Sequence, residues 1–321
     1  MLNQPSTLVT QVRFDSWLAV LLVLAGGFYL YGVRRLRARG DRWPISRTVL
    51  FLVPGLGSIA FVTLSGLHAY DTTVLSVHMV QHMVLSMIAP IFLALGAPVT
   101  LALRTLPRRP RRLLLAALHS RVAKVLAFPL VAYALFVATP FVLYFGGLYR
   151  VTLSNPYAHE LVHAHFIAIG CLFFWPLLGL DPLPGRWPYP GRALLMLLST
   201  PFHAVLGLTI MQSANLLAGD WYVRHGAVEP FADQKLAGGI LWAGGELVSV
   251  TMLAVLVAQW ARSSEREAAR VDRALDRAEA EAEARAAAEV AGRGAGDVAG
   301  RGSTAPGSRD GAPTGRTAES R

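Results

Sequence analysis

From Ser76 to Arg104 the chain reads SVHMVQHMVLSMIAPIFLALGAPVTLALR. Between Val77 and Leu103 it carries no Lys, Arg, Asp or Glu. That run exceeds the roughly 20 residues needed to cross a hydrocarbon core of about 30 Å. Pro90 predicts a kink, and Gly96 with Pro98 predicts the end of the helix. His78 and His82 stand one turn apart at its start, on one helix face and about 5–6 Å from each other. Ionisable side chains are expensive inside a bilayer, so a pair of them at this spacing asks for a function.

Working outward, the same apolar character recurs. The chain has 321 residues, 54% of them hydrophobic, and a mean hydropathy of +0.44, too apolar for an ordinary soluble protein. Seven spans are predicted: Trp17–Gly32, Thr48–Leu67, Val77–Leu95, Val125–Phe145, Leu161–Leu180, Ala193–Leu217 and Leu236–Trp260. The fold class is therefore an all-α, multi-pass bundle. Pro44, Gly146-Gly147, Asn155-Pro156 and the run from Asp181 to Pro190 mark connections between spans.

Basic residues set the expected orientation. The first connection carries Arg34, Arg35, Arg37, Arg39, Arg42 and Arg47 against Asp41; the third carries Arg104, Arg108, Arg109, Arg111, Arg112, Arg121 and Lys124 with no acid. The second connection, His68–Ser76, has no Lys or Arg, and the fourth only Arg150. The alternation predicts an outer N-terminus (residues 1–16) and a cytoplasmic C-terminus in a plasma membrane. The net charge of +10 is then mainly a topology signal, which favours membrane lipid over nucleic acid as the partner of the arginine clusters. The first span reads as an uncleaved anchor, because six arginines follow it. Beyond the seven-span domain (17–260), residues 261–291 are rich in Ala, Glu and Arg and predict a charged, solvated cytoplasmic helix. From 292 to 321 the Gly, Ser, Pro and Arg composition predicts disorder. Cys171 is the only cysteine, which excludes an intrachain disulfide and a thiolate-clustered zinc site.

A second pair, His159 and His163 in HELVH, opens the fifth span. Spans three and five run in the same direction, so both pairs are expected at matching depth near the outer face, with His68 and Asp71 at the same surface. Four imidazoles at one level point to a metal site of His78, His82, His159 and His163, and helix mouths would leave it accessible for exchange. Imidazole suits copper, zinc, iron and nickel; thioethers tip the choice toward Cu(I). Met83 is the favoured thioether, Met79 and His68 are accessory candidates, and Met87 lies deeper. His165, two residues past His163, is expected to point elsewhere. His203 and Glu246 approach the midplane from opposite ends of spans six and seven. They are expected to form a structural hydrogen-bonded pair across Gly244-Gly245.

HELVH also fits the zinc-peptidase pattern H-E-x-x-H, in which Glu160 would activate water. Against that reading, HMVQH repeats the spacing without the acid, Glu160 sits in a first helical turn where acids are favoured anyway, and no third ligand is evident in the sequence. The same histidines would also suit a copper permease, with His203 and Glu246 along its path, or a haem bundle with axial histidines.

In these segments (Ser76–Arg104, His159–Pro184 and, more loosely, Pro201–Tyr222) the chain resembles the CtaG-type assembly factors of caa3-type cytochrome c oxidase. The resemblance covers roughly Trp17–Trp260. It implies seven spans and a non-enzymatic role in maturing a haem–copper oxidase, with copper delivered to the catalytic subunit or passed through other assembly factors. The family's histidine motifs fall on His78, His82, His159 and His163, and its acid on Glu160.

Overall fold

The computed structural model describes residues 16–184 and 187–301, with the side chains of 16, 17, 68, 69 and 289–301 outside the described set. Among the described residues the chain is helical and contains no strand. Residues up to 260 form one compact unit. Among the described residues six helical segments are long and apolar enough to cross a membrane, and a bent pair, counted as one broken span, makes up to seven.

The first span is α1 (Ser16–Ala38). The second consists of α2 (Ile45–Leu50), a π-helical turn at Phe51–Leu56 and α3 (Gly57–Leu64), followed by the single turn α4 (Leu67–Tyr70). The third is longer than expected, running over Leu75–Thr105. It comprises α5 (Leu75–Met83), a π-helical turn at Val84–Ile88, α6 (Ala89–Leu95) and α7 (Pro98–Thr105). Both π turns have a proline as the local cause, since Pro54 and Pro90 each lack the N–H that closes an α turn. The break between α6 and α7 falls at Ala97, whose φ is +47°.

The arginine-rich third connection is helical, as α8 (Arg108–Leu118) and α9 (Arg121–Leu126). The fourth span is the bent pair α10 (Pro129–Phe145) and α11 (Leu148–Ser154), which meet at 72°. Gly147 makes that bend, with φ +77°. Then follow α12 (Pro156–Leu178), α13 (Tyr189–Gln212), the single turn α14 (Trp221–Arg224) and α15 (Pro230–Arg301). Helical backbone thus continues through 292–301, where the composition predicts disorder. Residues 302–321, the rest of that expectation, lie outside the described residues, as do 1–15.

α12 is the central helix. It packs along α6 and the second π turn on one side and along α10 and α11 on the other. Gly170 makes this possible, because a Cβ there would run into the Ser86 carbonyl and the Pro90 ring. α13 and α15 also meet at backbone distance: a Cβ on Gly207 would lie 2.6 Å from the Gly238 carbonyl oxygen, and one on Gly245 would lie 2.8 Å from His203 Cβ. Small residues at crossings are how membrane helices gain packing contact without a hydrophobic driving force.

Two aspartates tie distant parts of the bundle together by capping helix starts. Asp233 of α15 accepts the N–H groups of Leu75 (2.7 Å) and Ser76 (3.2 Å) at the start of α5. The residue in the cap position there, Val74, has no side-chain oxygen to offer. Asp181 accepts from the N–H groups of Val99 and Thr100, from the Thr100 hydroxyl and from Trp175 Nε1. At that end of span three, Arg104 pairs with Asp41 at 3.4 Å, which joins the first and third connections. Span three therefore runs from a histidine-bearing end to an arginine-bearing end.

Candidate metal centre

α5 and α12 bring their first turns together, and His78 meets His159 and His163 there. The rings of His78 and His159 stack at 5.7 Å between centroids, inclined by 20°. His159 and His163 lie 4.4 Å apart. α12 starts cleanly because Asn155 caps it, accepting from the N–H groups of Tyr157 and Ala158, with Pro156 preset at the first helical position.

Asp71, in the connection after α4, joins the site. Its Oδ2 lies 3.7 Å from His159 Nε2. One ligand atom each from Asp71, His159 and His163 fall within 4.8 Å of one another, and all three residues are buried. Metal–ligand bonds of about 2.0–2.2 Å place neighbouring donors about 3.3 Å apart, so closing around an ion takes side-chain shifts of about an ångström. The Asp71 segment is held in place: Thr73 and Val74 N–H bond to the Tyr70 carbonyl, and Trp221 Nε1 donates to the Thr72 carbonyl at 2.8 Å.

His78 supplies a further signal. It is 1% exposed, and neither ring nitrogen has a hydrogen-bond partner among the described residues. A buried polar group left this way costs about 1–3 kcal/mol. Its ring is enclosed by His159, Tyr149 and Tyr144. Tyr149 Oη and Tyr222 Oη bond to each other beside it, and burial pushes the Tyr222 phenol well up from its ordinary value. The site is thus roofed, whereas the position of the pairs at helix mouths predicts an accessible one. The connections carrying Asp71 and Tyr222 cover those mouths.

The other predicted residues separate. His82 belongs to a deeper layer: its Nδ1 lies 3.1 Å from Tyr144 Oη, and its ring sits 4.1 Å from Phe166. Met79 Sδ accepts a hydrogen bond from Tyr144 Oη, and the Met83 methyl lies against Gly244. His165 faces away and meets Thr139 at 3.2 Å, as its spacing predicts. Glu160 Oε2 lies 3.9 Å from His163 Nδ1. His68's side chain is outside the described residues.

Gly244-Gly245 does permit close helix approach, but the expected His203–Glu246 pair is not formed among the described residues. His203 Nδ1 meets the Ser199 carbonyl of its own helix at 3.4 Å. Gly245 itself faces His203, and the next residue on a helix points about 100° away. The chain also contains a candidate third ligand that the spacing of its motifs does not reveal. Asp71 sits in YDTT, where an aspartate reads as an ordinary turn residue.

A helical membrane bundle with a buried His/Asp cluster at one end defines the class of protein. A family model described as cytochrome c oxidase caa3 assembly factor (Caa3_CtaG) matches residues 27–263. The chain belongs to that family. Uncharacterized proteins of Mycobacterium bovis and Mycobacterium tuberculosis are each 40% identical to it over 290 residues, covering 86% of this chain and 43% of theirs. One from Mycobacterium leprae is 36% identical, covering 86% and 44%. The chain therefore spans less than half the length of these curated relatives. No solved structure matches it.

Proposed function

We propose that this protein holds copper transiently at the outer face of the plasma membrane and supplies it to the catalytic subunit of a haem–copper oxidase, directly or through other assembly factors. The observation that carries this reading is the buried group of Asp71, His159 and His163, with the His78 ring stacked on His159 beside it. Family membership supports the oxidase as destination. The arginines gathered at the opposite end of span three support an outward-facing site. Because the cluster is covered by Tyr149, Tyr222 and the Asp71 connection, release requires those elements to part, and docking of the acceptor is the natural trigger. Copper then leaves by stepwise exchange of imidazoles for the acceptor's ligands. The role is that of a non-enzymatic carrier.

A permease fits less well. Beyond His82 the buried aromatic side chains of α12 are Phe166, Phe173 and Phe174, with Phe136 stacked on Phe173 at 4.4 Å; His203, against Phe136, bonds to its own helix instead of continuing an ion path. A zinc-dependent hydrolase gains one specific observation, since Asp71 supplies the third ligand that H-E-x-x-H chemistry needs beside Glu160. His78 weighs against it by stacking on His159, where a catalytic site keeps an open position for water.

The test is replacement of His78 and His82, or of His159 and His163, by alanine in cells that make the oxidase. Each double variant should lower oxidase copper content and activity, while Glu160→Gln leaves both intact. Fully loaded oxidase in the double variants would contradict the carrier role. Loss of function in Glu160→Gln with metal still bound would favour the hydrolase.

A further inference from the structure

We infer that Asp71 is itself a metal ligand, so that the site of His78, His159, His163 and Asp71 takes a divalent cation of the Cu2+ or Zn2+ kind in preference to Cu(I). This deepens the carrier reading and rests on it. The donors gathered here are imidazole nitrogens and a carboxylate oxygen. Carboxylate favours harder, more highly charged ions, whereas Cu(I) is selected by thiolate and thioether. The thioethers nearby are engaged otherwise: Met79 Sδ accepts from Tyr144, and Met83 packs on Gly244.

Burial points the same way: Asp71 is 1% exposed and its Oδ2 lies 3.7 Å from His159 Nε2, so an ion seated there meets a carboxylate as well as imidazole. Preorganisation adds to this, since the Trp221–Thr72 bond and the Tyr70–Val74 turn fix the Asp71 backbone before any ion arrives. His78 stacks on His159 beside this three-donor group, and its buried ring nitrogens, which have no hydrogen-bond partner among the described residues, make it the fourth donor once its ring turns toward an ion. Among divalent ions such a site binds Cu2+ more tightly than Zn2+, in keeping with copper as cargo.

The experiment titrates the purified, metal-free full chain in detergent with Zn2+, with Cu2+ and, under reductant against a Cu(I) chelator, with Cu(I). One equivalent of either divalent ion should bind. Asp71→Asn should weaken that binding about tenfold or more while changing Cu(I) retention little, and Asp71→Glu should recover part of the loss. Met79→Leu combined with Met83→Leu should leave divalent binding unchanged. Size-exclusion profiles and thermal unfolding report whether each variant is folded. Should Asp71→Asn unfold, the electron paramagnetic resonance spectrum of Cu2+ on the unaltered chain decides: nitrogen and oxygen coordination supports the assignment, and failure to retain Cu2+ overturns it. Tight binding of Cu(I) alone, dependent on His159 and His163, would overturn the divalent assignment and leave the carrier role standing. Normal divalent binding in vitro, with oxidase fully loaded in cells carrying the double histidine variants, would do the reverse.

Discussion

His82 shares a helix face with His78, yet its Nδ1 lies 3.1 Å from Tyr144 Oη and its ring rests on Phe166. One turn of helix, about 5.4 Å of rise, is enough to move it from the polar cluster into the aromatic layer. His82→Phe should therefore keep stoichiometric metal in the purified chain, whereas His159→Ala should lose it; equal loss in both would return His82 to the ligand set. At this scale the sequence made the histidines of the cluster readable but not its carboxylate ligand. The i,i+4 spacing shows which imidazoles share a face, and three of the four converge as expected. Asp71 was placed at the same surface but not read as a ligand, because a turn aspartate outside the helical repeats carries no periodic signal. The His203–Glu246 pairing failed for a related reason: depth along two helices was inferable, but the rotation that turns Gly245 toward His203 was not.

α5 depends on a cap it does not encode. Val74 precedes it without a side-chain oxygen, and Asp233 supplies both acceptors from α15. Asp233→Ala should cost about 1 kcal/mol of stability, seen as a lower thermal midpoint, and should weaken metal binding by letting the first turn of α5, with His78, fray. Asp233→Asn should restore part of both. An unchanged midpoint and unchanged binding would mean that packing alone fixes α5. Helix existence was legible from apolar runs, and the kink in span three from Pro90; the π turn at Pro54 in span two was not foreseen. The extension of span three to Thr105 was not, because Gly96 and Pro98 carry the signature of an ending, while Ala97 takes up the left-handed turn and Asp181 caps the helix that follows.

Across the whole bundle, the polar cluster and the arginines occupy opposite ends of span three, and the carrier role requires the cluster end to face outward. Single cysteines introduced at Thr72 and at Arg109, in a chain with Cys171→Ser, should separate cleanly in intact cells. A membrane-impermeant maleimide should label position 72 directly and position 109 only after permeabilisation; the opposite pattern would invert the topology. The spans were readable from hydropathy, with six helices long and apolar enough to cross and a pair bent by 72° in place of the expected straight fourth span. The roof over the site was not foreseeable, because Tyr149 reaches it from the bent second half of the fourth span and Trp221 and Tyr222 from a connection, and hydropathy encodes neither path. The most direct measurement on the central claim is X-ray absorption at the copper edge of the loaded, purified chain. The account predicts a nitrogen/oxygen shell at about 2.0 Å with imidazole scattering, absent after His159→Ala with His163→Ala. A spectrum dominated by sulfur, or one unchanged by that double replacement, would contradict it.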